Sequence, residues 1–385
     1  MNNFEFWAPT KIVFGQGQIA QLKALVPAGA RVLMTYGLGS IKNNGVYDQV
    51  LSALSGHKVV EFGGITPNPD YDHMMKALPL ITEHQLDFIL SVGGGSVIDG
   101  TKFLAAAACA QADPWALVTS GGDLIDKAMP HGAVLTLPAT GTEMNRWSVL
   151  SRRSMDEKRD FGHPSLFLQF AVMDPATTLT LPQKQIANGI VDAFVHVVEQ
   201  YVTYPIDAPL QARQAEAVLL TLIEQGRRIL KDPKSYEARA NFMWAATAAL
   251  NGLIEAGTTS DWTTHKIGHE LTALYGLDHA ETLAVVLPAV FKVLRVQKYD
   301  KLMQYGRNVW GLNHLGGDAL ADAAIQATED FFVEVGVKVR LSDYGIASDN
   351  FSRIADKIEA NGALPLSERK NVGKAEIVKI LEACY

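Results

Sequence analysis

LDFILSVGGGSVIDGTKFLAAAACA, residues 86–110, reads as a strand, a glycine-rich turn and a helix in immediate succession. LDFILSV is short, apolar and without alternation, as in a parallel strand covered on both faces. Gly93, Gly94 and Gly95 permit a tight turn and a close approach of backbone to a ligand. Ser96 and Asp99 follow, and Asp99 is expected in the first helical turn, as a cap or as a partner for a ribose or substrate group. A helix that opens there offers unpaired N–H groups and its positive dipole end to a phosphate. The spacing is not the G-x-G-x-x-G fingerprint, and three glycines alone equally suit a structural turn.

The same alternation extends to both sides. RVLMTYG, KVVEFGG, GAVLTLPAT and AVMDP read as further strands, with helices expected over GVYDQVLSALSG and DYDHMMKALPLITEHQ. Strands alternating with helices predict a parallel sheet. From Pro182 onward long helical patterns take over, in residues 183–202, 210–230 and 236–257, and VEVGVKVRLSDYGI (333–346) reads mostly as loop. The expected class is an α/β N-terminal dinucleotide-binding domain, residues 1–180, followed by an all-α C-terminal domain, residues 181–385.

The chain has 385 residues, which favours two cores over one. It is 48% hydrophobic and 19% charged, with a net charge of -7, so no basic footprint for nucleic acid or an anionic membrane is present. Cys109 and Cys384 do not frame a disulfide scaffold, and free thiols suit a reducing compartment. The N-terminus, MNNFEFWAPT, lacks the basic-then-apolar pattern of a signal peptide, and the apolar runs are too short to span a bilayer. A cytoplasmic location is expected.

Two further turns suit a nucleotide. In LTLPATGTEMNRWSV, Thr136, Thr140, Thr142 and Glu143 follow a strand, where hydroxyls and free N–H groups meet ribose, amide or phosphate; an ordinary turn and helix cap explains them equally. In YGLGSIKNNG, Gly37, Gly39 and Ser40 follow the first expected strand. No acid stands in that turn to accept ribose hydroxyls, and Ser40 with Lys42 favours a 2′-phosphate.

The second half carries Asp192, His196, His265 and His279. Asp192 and His196 stand at i, i+4 in NGIVDAFVHVVEQYV, on one helix face with Cβ atoms about 6 Å apart. An anionic Asp among Ile190, Val191, Phe194 and Val195 needs a partner. One carboxylate and three imidazoles suit a divalent first-row ion. Taken singly, each histidine also fits a hydrogen-bonded core position. Residues 265–269, HKIGH, are not the H-E-x-x-H of a metallopeptidase. His269, one turn beyond His265, reads as a fifth core polar group, a weak ligand or a proton carrier. Phe194, Trp147 and Trp262 are candidates for an apolar substrate wall.

GGGSVIDGTK, LPATGTE, NGIVDAFVH and HKIGHELTALYGLDHA together closely resemble the motifs of the iron-containing alcohol dehydrogenase family, in particular its NADP-dependent aldehyde reductase and butanol dehydrogenase branch. The resemblance spans essentially the whole chain. It implies a dehydroquinate synthase-like fold, a site in the cleft between the domains, and a cytoplasmic homodimer that reduces aldehydes to alcohols with NADP(H) and one divalent metal, iron or zinc. It implies Asp192, His196, His265 and His279 as metal ligands, and His269 as a histidine near the nicotinamide. The implied cofactor contacts are Gly37, Gly39, Ser40, Asn68, Gly93, Gly94, Gly95, Ser96, Asp99, Thr136, Thr140, Asn145 and Lys158. Many relatives have Pro-His-Gly around the last ligand, where this chain has Asp278-His279-Ala280. Relatives that prefer NAD often carry an acid in the first nucleotide turn, whereas Gly37-Leu38-Gly39-Ser40 is similar to the NADP branch. The same-fold alternative is a glycerol dehydrogenase or dehydroquinate synthase type enzyme, and the different-class alternative is a non-catalytic metal-binding protein.

Overall fold

A computed structural model describes residues 1–385. Its parallel sheet consists of β1 (Lys11–Phe14), β2 (Arg31–Tyr36), β3 (Lys58–Phe62), β4 (Phe88–Gly94), β5 (His131–Leu137) and β8 (Phe170–Met173), with a separate antiparallel hairpin of β6 (Trp147–Arg152) and β7 (Glu157–Gly162). The spatial order is β1-β8-β5-β4-β2-β3, and every neighbouring pair in it is parallel. The central strands β4, β5 and β8 are buried almost throughout, which is why their sequences do not alternate. The chain order reverses between β2 and β4, so a crevice opens beyond their carboxyl ends, the usual place for a ligand in an open α/β sheet. Tyr36 and Val92 pair across that point, and each leads directly into one of the glycine-rich segments.

The helices of this half are α1 (Leu22–Leu25), α2 (Val46–Ala53), α3 (Tyr71–Met74), α4 (Leu78–Glu83), α5 (Gly95–Ala107) and α6 (Pro114–Thr119). The helix expected over residues 70–85 is divided into α3, a 3₁₀ turn and α4. Asp70 caps its start by accepting from the His73 N–H at 3.3 Å, and Pro79 stands in the first turn of α4. β1 and the β6–β7 hairpin were not expected. β1 is a four-residue edge strand, and the hairpin is too polar to show an apolar run.

The second half contains α7 (Gln183–Tyr201), α8 (Pro209–Lys231), α9 (Tyr236–Ala249), α10 (Thr263–Tyr275), α11 (His279–Val293), α12 (Arg295–Asn308), α13 (Gly317–Val335), α14 (Phe351–Ala360) and α15 (Lys374–Ala383). The helix expected to reach residue 257 ends at Ala249, because Gly252 adopts φ +91 and Asn251 Oδ1 accepts from the Leu253 N–H at 3.1 Å. Residues 336–341 form the irregular connection anticipated after α13.

Two compact units result: Trp7–Pro182 with Asp232–Thr247, and Met1–Phe6 with Gln183–Lys231 and Ala248–Tyr385. Relative to a division at 180/181, these units exchange three pieces, residues 1–6, 181–182 and 232–247. Residues 1–6 belong with the helices, and most of α9 belongs with the sheet, where Met243 packs on Ile98, Leu135 and Met173. Chain continuity hides such exchanges from a linear reading. No helix is long and apolar enough to cross a membrane.

Candidate metal centre and nucleotide site

In the helical unit, every residue of α7 from Ile190 to Tyr201 is buried, so this stretch of the helix presents no solvent face. Asp192 and His196 project from it one turn apart. α10 opens after Trp262, whose φ of 61 is left-handed, and carries His265 in its first turn and His269 in its second. His279 is the first residue of α11. The residue before it, Asp278, donates its N–H to Glu281 Oε2 at 3.0 Å, and Lys184 of α7 pairs with Asp278 at 2.7 Å and Glu281 at 3.0 Å. These contacts tie the start of α11 to the helix that bears Asp192. This chain thus secures the His279 segment by charge.

The four side chains converge, with one ligand atom of each lying within 4.8 Å of the others. His196 Nε2 and His265 Nε2 face each other at 3.1 Å, and Asp192 Oδ1 lies 3.6 Å from His279 Nε2. A tetrahedral ion with bonds of about 2.0–2.2 Å separates its ligand atoms by about 3.4 Å. These two spacings lie on either side of that value, and no pair in the set exceeds 4.8 Å. Three imidazoles and a carboxylate gathered in this way form a donor set that fits a divalent metal. Burial, reinforced by the neighbouring His265, holds His196 well below the ordinary imidazole range, and the ring is therefore neutral, the form that binds metal.

His269 is buried, with its ring centroid 5.5 Å from that of His279 and 6.4 Å from that of His265. It stands beside the four-atom cluster without being part of it. Trp262 packs at 5.2 Å from His265 and 6.2 Å from His196, which puts an aromatic wall at the centre. Phe194 does not contribute one: it turns into the core against Trp310, Phe331 and Phe332. Trp147 lies on β6 in the other unit. Glu199, not singled out from the sequence, contacts His265 Nδ1 through its carboxylate. Its signal in the sequence is an acid three residues after His196, within the apolar run that carries Asp192 and His196.

In the α/β unit the glycine segment is tighter than a strand–turn–helix. β4 runs through Gly94, and α5 begins at Gly95 with no residue between. A Cβ at Gly93 would lie 2.5 Å from the Val97 side chain, at Gly94 2.8 Å from Leu137 Cβ, and at Gly95 2.6 Å from Thr140 Oγ1. The three glycines thus bring α5 onto β5 and the Thr140 loop while leaving the helix N-terminus open. Asp99 is not in the first turn. It is the fifth residue of α5, and its carboxylate accepts from Thr142 Oγ1 at 2.6 Å and the Val149 N–H at 3.0 Å. It binds the helix to the second loop instead of capping its own end.

Lys102, also overlooked, completes that link. Fully buried, its ammonium donates to Thr142 Oγ1 and the Asn145 carbonyl at 2.8 Å each and to the Trp147 carbonyl at 2.7 Å. Burial pulls it down to about 8, against the upward pull of Asp99 and Glu143. Asn145 folds back on the loop, its amide donating to the Gly141 carbonyl at 2.9 Å and its Oδ1 accepting from the Trp147 N–H at 2.9 Å. Thr140 Oγ1 accepts from the Thr142 N–H at 3.3 Å, and Thr136 lies within β5, not after it. Asn68, Ser96 and Lys158 meet although far apart in sequence: Lys158 Nζ donates to Asn68 Oδ1 at 2.9 Å, and the Asn68 N–H to Ser96 Oγ at 3.3 Å.

At the first turn, Gly39 has φ +97 and precedes a 3₁₀ turn of Ser40–Lys42, while Gly37 lies near Ile65 and Val97. The sequence showed no acid in this turn, yet β3 brings one to it. Glu61 accepts from Lys42 Nζ at 3.0 Å, Tyr36 OH at 2.9 Å and Tyr47 OH at 2.6 Å. Lys42 is therefore already paired.

Both halves match known sequence families. Residues 9–175 match the family described as iron-containing alcohol dehydrogenase, and residues 186–385 match the C-terminal region of the Fe-containing alcohol dehydrogenase family. The chain belongs to the iron-containing alcohol dehydrogenase family. Within it, the chain is 52% identical over 385 residues, the full length of both proteins, to the NADPH-dependent aldehyde reductase YqhD of Escherichia coli (strain K12). It is 38% identical, again over the whole of both chains, to the probable NADH-dependent butanol dehydrogenase 1 of Bacillus subtilis (strain 168). The crystal structure of the Escherichia coli protein superposes with a TM-score of 0.98, covering 100% of this chain and 99% of that one. Like its family, this protein is a metal-dependent oxidoreductase of the alcohol–aldehyde couple.

Proposed function

We propose that this protein reduces aliphatic aldehydes to primary alcohols, reversibly, with NADPH as hydride donor and one iron or zinc ion held by Asp192, His196, His265 and His279. The observation that carries the reading is the convergence of those four ligands in a chain so similar over its full length to an NADPH-dependent aldehyde reductase. Reduction adds a hydride to the carbonyl carbon and a proton to its oxygen. The cation, when bound, supplies Lewis acidity at that oxygen, and the coenzyme supplies the hydride. The chain's own residues hold and orient these groups. Gly94–Ser96 present the N-terminus of α5 to the pyrophosphate, while Asn68, Thr140, Asn145 and Lys158 serve the rest of the nucleotide. Trp262 excludes water beside the metal ligands. His269 is assigned the proton delivered to oxygen, directly or through one water.

NADPH is preferred over NADH in this reading, because Gly37–Ser40 contains no acid and Glu61 is already bonded to Lys42, Tyr36 and Tyr47. A homodimer in the cytoplasm is also proposed. β1 pairs only with β8, and its open side lies at the sheet edge near exposed Phe14 and Trp244, whose rings pack at 6.2 Å.

A reductive screen from acetaldehyde to octanal, run with NADPH and with NADH, tests the reading. Butanal and its neighbours are expected to turn over, with only about 1–3 kcal/mol of discrimination per methylene. Glycerol oxidation with NAD and negligible butanal reduction would favour a polyol dehydrogenase instead. Tighter NADH than NADPH binding would refute the coenzyme assignment. His269→Ala is expected to retain most of its metal while turnover falls by about 10²-fold or its pH profile shifts. Metal loss equal to that of a ligand variant would make His269 a ligand.

A further inference from the structure

Glu199 is 2% exposed, and its two carboxylate oxygens serve different parts of the helical unit. Oε2 meets His265 Nδ1, and Oε1 accepts from the Thr264 N–H at 2.7 Å. Its backbone carbonyl accepts from the Asp261 N–H at 2.9 Å. Asp261 Oδ1 accepts from the Thr263 N–H at 3.2 Å, and its Oδ2 pairs with the buried ammonium of Lys298 at 2.9 Å. Lys298 in turn donates to the Val202 carbonyl at 2.8 Å and pairs with Glu368 at 3.1 Å. Burial opposes the charge on Lys298, but Asp261 and Glu368 outweigh it and hold the ammonium above its ordinary range. This buried chain fixes both ends of the short segment from which His265 projects.

A neutral imidazole carries one N–H and one lone pair. A carboxylate at Nδ1 accepts the proton there and leaves the lone pair on Nε2, the atom that faces His196 at 3.1 Å.

We propose that Glu199 is a positioning residue for the metal centre, holding His265 as the Nδ1–H tautomer with Nε2 directed at Asp192, His196 and His279. The proposal rests on the reading of those four residues as a metal site.

The test is metal affinity, measured by chelator competition on the full-length protein loaded with zinc or cobalt. Glu199→Gln keeps the size and the acceptor for Thr264 but replaces the charged acceptor at Nδ1. It is expected to weaken binding by about 10–100-fold and to shift the visible absorption of the cobalt protein. Glu199→Asp, which restores the carboxylate, should recover part of both. Wild-type protein that binds no ion would refute the metal reading itself. Wild-type binding with a Gln variant within twofold of it and an unchanged cobalt spectrum would overturn the role of Glu199 alone. Should the Gln variant not fold, ¹⁵N NMR of histidine-labelled, zinc-loaded wild-type protein decides the question. A proton on Nδ1 of His265 is expected, and coordination through Nδ1 would overturn the proposal.

Discussion

Replacing His265 with alanine is expected to abolish stable metal binding and to lower aldehyde reduction by about 10³-fold or more, the equivalent of several kcal/mol of lost carbonyl polarisation. The side chain is the hub of the cluster. Its Nε2 faces His196 at 3.1 Å, its ring packs 5.1 Å from that of His279, and its Nδ1 meets Glu199. Truncation removes one of three imidazoles and strands the Glu199 carboxylate in a buried position. Metal analysis of protein prepared without chelator, set beside turnover with butanal, checks the expectation. About one ion per chain is expected for wild type and little for the variant. Full occupancy with normal turnover would remove His265 from the ligand set.

Lys102→Met is expected to produce the largest loss of stability, about 3–5 kcal/mol, or on the order of 10 °C in melting temperature. The ammonium is fully buried and satisfies Thr142 Oγ1 and the carbonyls of Asn145 and Trp147, while Asp99 pairs with the same Thr142 hydroxyl. A thioether fills the volume but removes the donor to two carbonyls and the nearest positive charge to Asp99. The loop of residues 140–147 then loses its anchor to α5, so NADPH affinity should fall together with stability. Thermal melting and a NADPH titration read the two effects. A variant that melts like wild type and binds NADPH equally well would show that Lys102 anchors nothing.

Much of this architecture is legible in the chain. Apolar runs without alternation specify doubly covered parallel strands, as in β4 and β5, because period-two patterning vanishes when both faces are buried. The long 3.6-residue patterns after Pro182 specify helices for the same local reason. Asp192 and His196 were legible as a pair because a helix places i and i+4 on one face regardless of what surrounds it. β1 and the β6–β7 hairpin escaped, since four residues at an edge or a charged hairpin bury too little apolar surface to leave a pattern. The end of α9 is not legible in the sequence because the left-handed backbone at Gly252, not a change of periodicity, terminates the helix.

By itself, then, the sequence determined the periodicities, the class of each half, and which residues are candidates for metal-binding and phosphate-binding chemistry, all consequences of backbone geometry acting over a few residues. Tertiary structure alone decided which of those residues meet. It brought His265 and His279 onto the Asp192–His196 face, placed Glu61 beside Lys42, and joined Asn68, Ser96 and Lys158. It turned Asp99 and Lys102 from apparent ligand contacts or unremarked positions into the buried link between α5 and the Thr142 loop. Phe194 went to the core and Trp262 to the metal centre. The physical reason is that partners separated by tens of residues are selected by packing and by the cost of leaving a buried polar group unpaired, and neither quantity exists until the chain has closed on itself.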